Sequence, residues 1–333
     1  MKKTYISLLV LLSIAITFVL YLLFSGEKSY KPIFDNINFS VIGIFKKNPL
    51  GEKLYINVEA NNDDILYKKA YNLAKNLRKE GVSVNITPKE NHQSGNLNLY
   101  VAKDKYHLPD VIDQKSINIL LIPYVSSNDN FEIFRKYDVI IVKSISSYSH
   151  LKAVNVRTAF IPDAINIKKL KKNSIYKAMF LGDNKDFSLS LYLAKKYNFD
   201  IYGKNWAHTE YANKVKNETI NEDIFSKYAI VLTDQSDEEI DNSIVNDKII
   251  SILENGGLPF IRYNQGFKHI FQDSIAMYYN ETDFNNKFNE LTSDMKTIND
   301  LRNIFFENAK KWNDKTVANK FIEIFKIMKL KKI

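Results

Sequence analysis

Cysteine is absent from all 333 residues, which excludes disulfide scaffolds, thiolate zinc sites, iron–sulfur clusters and thiol nucleophiles. Several catalytic signatures are missing too. There is no G-x-x-x-x-G-K-[ST] phosphate loop, no G-x-G-x-x-G dinucleotide fingerprint, no H-E-x-x-H and no G-x-S-x-G. A D-x-D triplet, the carboxylate pair that would hold a divalent cation on a sugar nucleotide, does not occur either. His92, His107, His150, His208 and His269 are scattered without metal-ligand spacing, so no metal site is expected.

What is present describes a folded protein. Apolar residues make up 45% and charged residues 26%, enough to bury large cores, and the length suggests two domains. Lys and Arg outnumber Asp and Glu by 47 to 38, a net charge of +9. That excess suits an anionic partner or a solvated lysine-rich surface. The lysines are spread along the chain and no nucleic-acid recognition module is visible, so nucleic acid is not expected as a partner.

The amino end carries one long uncharged run, Thr4 to Gly26. A helix needs roughly 20 apolar residues to span a hydrocarbon layer. Tyr5 and Tyr21 sit near its ends, where amphipathic rings favour the interface. A cleaved signal peptide would have a shorter apolar region and an A-x-A site, and none follows here. Residues 1–26 are therefore expected to form a single-pass anchor in membrane lipid. Lys2 and Lys3 before the run balance Lys28 and Lys31 after it, so flanking charge does not choose an orientation.

Residues 27–51 read as a connector, and the rest alternates between strand-like and helix-like blocks. Strands are expected at Lys53–Ala60, Val82–Thr87, Leu97–Ala102, Ile117–Tyr124, Tyr137–Lys143 and Val156–Ile161, with a helix over Asp63–Glu80 stopping at Gly81. After a lysine-rich stretch the pattern restarts. Strands are expected at Tyr176–Leu181, Phe199–Tyr202, Ala229–Thr233 and Leu258–Arg262, helices at Phe187–Lys196 and Asp247–Glu254, and a helix-rich tail from Asp283. This predicts two α/β domains, 52–170 and 171–333, each with a mostly parallel sheet, and a ligand in the cleft between them. Within 245–257 (VNDKIISILENGG), Asn246-Asp247 opens a helix and Lys248 adds a charge to its first turn. Its free N–H groups make a diphosphate seat. A plain N-cap with a solvated lysine fits the spacing equally.

Several motifs stand in a recurring order. Gly182 follows a strand; then come IYGKNW (201–206), YAIVLTD (228–234), VNDKIISILENGG and Tyr278-Tyr279. Upstream lie YDVIIVKSISS (137–147) and VRTAFIPDAIN (156–166). This series resembles the GT-B glycosyltransferases of the spore-maturation type, the CgeB/YkvP-like group, over roughly residues 53 to 325. The resemblance implies two Rossmann-like domains facing a cleft and a metal-independent glycosyl transfer without cofactor. The donor would be a nucleoside-diphosphate sugar, and the acceptor a cell-envelope glycan or lipid-linked sugar. It places donor contacts at Gly182, Lys185, Tyr202, Gly203, Trp206, Asn246, Asp247, Lys248, Gly256 and Gly257. The acidic residue that would hold the donor ribose is replaced by Ser251, with Glu254 one turn further along nearly the same helix face.

An acceptor hydroxyl must lose a proton as it attacks. Asp64, after the first strand, is the candidate base, although Asp63 and Asp64 also fit the N-cap of the next helix. Because nucleotide sugars are cytosolic in bacteria, an enzyme of this kind would keep its two domains in the cytoplasm. Ser251 supports a different reading, a non-catalytic two-lobed binding protein held at the membrane.

Overall fold

The structure, a computed structural model, describes residues 47–109, 112–167, 178–183, 188–204, 206, 215, 224–272 and 276–332. The expected anchor over 1–26 lies outside these residues. Among the described residues no helix is long and apolar enough to cross a membrane.

The first lobe runs through β1 (Leu54–Val58), α1 (Ile65–Lys79), β2 (Val84–Thr87), β3 (Leu97–Val101), β4 (Ile117–Ile122), β5 (Val139–Val142), α2 (Ile145–Ala153) and β6 (Thr158–Phe160). Its strands form one parallel sheet in the order β2-β1-β3-β4-β5-β6. Alternation along the strands divides two cores, because successive side chains leave a strand on opposite faces. Leu97, Leu99, Ile119 and Leu121 meet Ala70 and Leu77 of α1 on one face. Tyr100, Leu120 and Ile122 meet Phe134 and Leu151 on the other. With both faces covered, β5 reads as the unbroken apolar run VIIV and β4 as INILLI, interrupted only by the buried Asn118.

Helix α1 has legible ends. The Asp64 carboxylate accepts from the Leu66 N–H at 2.7 Å, which caps the first turn. At the other end Gly81 takes φ +88°, and its N–H and that of Val82 bond the carbonyls of Arg78 and Leu77. This left-handed exit satisfies carbonyls that the helix leaves free.

The second lobe contains β7 (Ala178–Leu181), α3 (Leu189–Lys196), β8 (Asp200–Tyr202), α4 (Ile224–Lys227), β9 (Ile230–Thr233), α5 (Asp237–Asp241), α6 (Asp247–Glu254), β10 (Pro259–Arg262), α7 (Gln265–Phe271), β11 (Met277–Tyr278), α8 (Glu281–Thr292) and α9 (Met295–Lys310). These strands are also parallel, in the order β11-β10-β9-β7-β8. An aromatic cluster anchors α8 to the sheet, with Phe260 stacked on Phe284 at 5.0 Å between ring centres. The last helix, α10 (Asp314–Lys332), crosses back and buries Phe321, Phe325 and Met328 in the α1 core of the first lobe. It follows the second half in sequence but packs with the first in space.

Two chain segments therefore cross between lobes, and they run side by side. The Ile165 N–H bonds the Trp312 carbonyl at 2.9 Å, and the Asp314 N–H bonds the Asn166 side chain at 3.1 Å. Phe160 packs edge-on against both His269 of α7 and Trp312, which fixes β6 to the second lobe.

Candidate functional site between the lobes

Each sheet reverses its winding once, between β1 and β3 in the first lobe and between β7 and β9 in the second. Open α/β sheets bind ligands beyond the carboxyl ends of the strands at such points. The residues that join the lobes come from those ends. After β4, Tyr124 donates to the Glu238 carboxylate of α5; after β5, Ser144 donates to the Asn242 carbonyl. The Glu238 bond and partial burial push the Tyr124 hydroxyl up to about 12.

Among the described residues, three cavities open in the cleft. One of about 340 Å³ lies between α1, α10 and α6, and one of about 190 Å³ adjoins it beside Asn246 and Asp247. A third, of about 630 Å³, opens between Tyr106, Ser126, Asn128 and His150 on one side and Glu238 and Asp241 on the other.

A ladder of alternating charge separates the first two cavities. Lys143 donates to Asp163, Asp163 lies 3.8 Å from Lys69, and Lys69 donates to Asp247 at 2.6 Å. The last pair crosses from α1 of the first lobe to the first turn of α6 in the second. Burial alone would raise the Asp163 carboxyl, but the Lys143 and Lys69 ammoniums outweigh it and hold the group below the usual aspartate range. Burial likewise pulls the Lys69 ammonium down, and Asp163 and Asp247 more than reverse that.

The site residues expected from sequence divide into three groups. Asn246, Asp247 and Glu254 reach the cleft. Asn246 caps α6 by accepting from the Ile249 N–H at 3.0 Å, and its amide donates to Glu239 at 3.1 Å. Glu254 accepts from the Asn166 N–H at 2.9 Å, which ties α6 to the crossing segment. Ser251 lines the same cavity and is exposed.

A second group lines none of these three cavities. Lys248 is half-buried and lines none of the three cavities. Gly256 and Gly257 sit at the far end of α6, where Gly256 takes φ +80° just past the cap. Gly182, Tyr202, Gly203 and Trp206 form a tight cluster where β7 and β8 end. The Gly182 N–H bonds the Tyr202 carbonyl, and the Trp206 indole donates to the Gly182 carbonyl at 3.1 Å. Tyr202 and Trp206 are buried. Asp64 is the exposed N-cap of α1 and lines none of the cavities. Lys185 lies outside the described residues and makes up the third group.

Lys69, Lys143 and Asp163 carry no local signal that singles them out. Asp163 belongs to the quoted VRTAFIPDAIN motif, but nothing in the pattern distinguishes Lys69 from Lys68 beside it. The capping box Ser236–Glu239 that opens α5 is legible as S-x-x-E and is enough to place a helix there. Among the described residues, no group of three or more acidic or histidine side chains is placed to hold a metal ion.

No protein-family model matches the chain, and no curated protein sequence matches it. Solved structures do. The crystal structure of a glycosyltransferase from Rickettsia africae matches with a TM-score of 0.50 at 11% identity, covering 83% of this chain and 98% of that one. A point mutant of Staphylococcus aureus TarM, in complex with fondaparinux, alpha-GlcNAc-glycerol and UDP, matches with a TM-score of 0.48 at 12% identity. There the match covers 68% of this chain and 55% of TarM, so this chain spans about half of TarM's length. At such identities the likeness is one of fold: two parallel-sheet α/β domains, as in GT-B glycosyltransferases.

Proposed function

We propose that this chain is a glycosyltransferase that moves a sugar from a nucleoside-diphosphate donor to a glycan or lipid-linked acceptor. The observation that carries the reading is a cleft between two parallel-sheet lobes, lined on one side by the ends of β3 and β4 at Val101, Ala102 and Leu121 and faced on the other by the amino end of α6 through Asn246 and Asp247. A helix of this length presents free N–H groups and partial positive charge to a leaving diphosphate. The reading takes the reaction as metal-independent because the sequence holds no D-x-D pair. It takes the chain as membrane-anchored through residues 1–26, with the two lobes in the cytoplasm.

Full-length protein in membranes, offered a panel of nucleotide sugars and envelope glycans, is expected to release nucleoside diphosphate and label an acceptor. Nucleoside diphosphate at about 100 times its dissociation constant should add roughly 2.7 kcal/mol to the stability of the folded state. Protein stabilised by free sugars alone, with no turnover of any donor, would instead support the two-lobed binding protein to which Ser251 points. A reporter fused to the carboxyl end locates the lobes, and an extracellular signal would count against the transferase.

A further inference from the structure

The cleft is acidic although the whole chain is basic. The 340 Å³ cavity is lined by Lys69 and Lys143 against Asp163, Asp247, Glu254 and Asp314. An anionic ligand therefore meets no spare positive charge there; each lysine already has a carboxylate. The two lysines are not equivalent. Lys143 is 17% exposed and held by Asp163 within the first lobe. Both border the two adjoining cavities, but Lys69 is 37% exposed and spends its one short bond on Asp247, a side chain 61% exposed on the opposite lobe.

We propose that Lys69 is an anion-receiving residue of this cleft and that the Asp247 carboxylate is its internal stand-in, displaced when a phosphate-bearing ligand binds. The inference rests on the reading of the cleft as a nucleotide-sugar site and adds to it a phosphate contact from the acceptor-side lobe. Three features support the exchange. Asp247 is solvated, so it leaves Lys69 for water at small cost. Asp163, at 3.8 Å, stays behind on the same lobe and keeps the ammonium charged and aimed into the gap. A phosphate group brings more charge and more acceptor oxygens than the carboxylate it replaces, and it arrives beside the free N–H groups of α6. The Lys69–Asp247 bond would thus hold the empty lobes together, and the ligand would take over that bond from within.

The test is calorimetric titration of the full-length chain with inorganic pyrophosphate, a probe free of base and sugar. Lys69→Met is expected to weaken binding by about tenfold, and Lys69→Arg to keep most of it. Asp247→Asn, which removes the competitor, should bind about threefold tighter than wild type. The double variant should match Lys69→Met, since the benefit of Asp247→Asn acts only through Lys69. Binding by Lys69→Met within about twofold of wild type would overturn the proposal, as would weaker binding by Asp247→Asn. So would a failure of every variant and of wild type to bind pyrophosphate at millimolar concentration. The transferase reading fails separately. If wild type turns over a nucleotide sugar while Lys69→Met keeps the same donor KM, this inference falls and the transferase stands. If pyrophosphate binds through Lys69 but no donor is ever consumed, the transferase falls and the anion site stands.

Discussion

Replacing Gly203 by alanine separates a packing role from a ligand role at the end of β8. Gly203 takes φ +146°, a region open essentially to glycine alone. A Cβ built there would lie 1.8 Å from the Gly182 carbonyl oxygen and 2.6 Å from its carbon. Both obstacles are backbone, so no rotamer change relieves them. The ends of β7 and β8 must part by more than about 1 Å, since real Cβ contacts essentially never fall below 3.0 Å. That movement breaks the Gly182 N–H bond to Tyr202 and the Trp206 indole bond to Gly182. Two buried hydrogen bonds at about 1 kcal/mol each, with a backbone cost of about 1–3 kcal/mol, give a loss of about 3–5 kcal/mol. Gly51→Ala is the matched control. It has φ +72° but nothing within 4 Å of the added carbon, so only the conformational cost of about 1–2 kcal/mol remains. Urea unfolding followed by far-ultraviolet circular dichroism reads both, and tryptophan emission adds a local probe because the chain has only two tryptophans. If Gly203→Ala costs no more than Gly51→Ala, the close approach is not what demands glycine. If it loses donor binding while keeping its stability, the glycine serves the ligand directly.

Two further outcomes follow from the cleft. Asn246→Ala removes the cap of α6 and its bond to Glu239, and should cost about 1 kcal/mol in urea unfolding, while Asn246→Ser, which keeps an uncharged capping oxygen, costs less; equal losses would deny the capping role. The depressed Asp163 carboxyl contributes stability that is present above the ordinary aspartate value of about 4 and is lost as pH falls through its lower folded value. Asp163→Asn should flatten the acid limb of a stability–pH profile in that window, and parallel profiles for the two proteins would remove Asp163 as its source.

Much of the fold was legible because buried parallel strands leave unambiguous apolar runs. INILLI, VIIV and IVLT lie where the pattern predicts strands, and α1 and α6 begin and end at the capping residues the sequence displays. β11, two residues long, lies below the length at which alternation is readable. Helix α2 escaped because its nine residues, ISSYSHLKA, carry almost no apolar stripe; it is held by the Ser144 cap and by Leu151. The return of α10 was invisible for another reason. Phe321, Phe325 and Met328 announce a buried helix face but not which sheet it covers, and that is decided by the crossing segments at Ile165 and Trp312. The site was legible only in part, for the same reason. Asn246 and Asp247 are local signals at a helix start. Lys69 acquires its meaning from Asp247, 178 positions away, and no spacing rule connects the two.

Placing the cleft's lysines in carboxylate pairs changes what net charge means for this protein. A charge of +9 would ordinarily steer anions toward a binding site and make their affinity fall steeply with salt. Here the cavity lining carries more carboxylates than ammoniums, so the chain's surplus positive charge does not line it. Binding an anion at Lys69 is then an exchange of one ion pair for another. Salt screens the pair that is broken as well as the pair that is formed, so the two effects partly cancel. Affinity in such a cleft depends less on long-range attraction than on how many more hydrogen bonds a phosphate makes than Asp247 does, and on how far the lobes must part to admit it. The same arrangement disfavours weaker anions. A ligand carboxylate, offering Lys69 no more than Asp247 already provides, has no advantage with which to displace it.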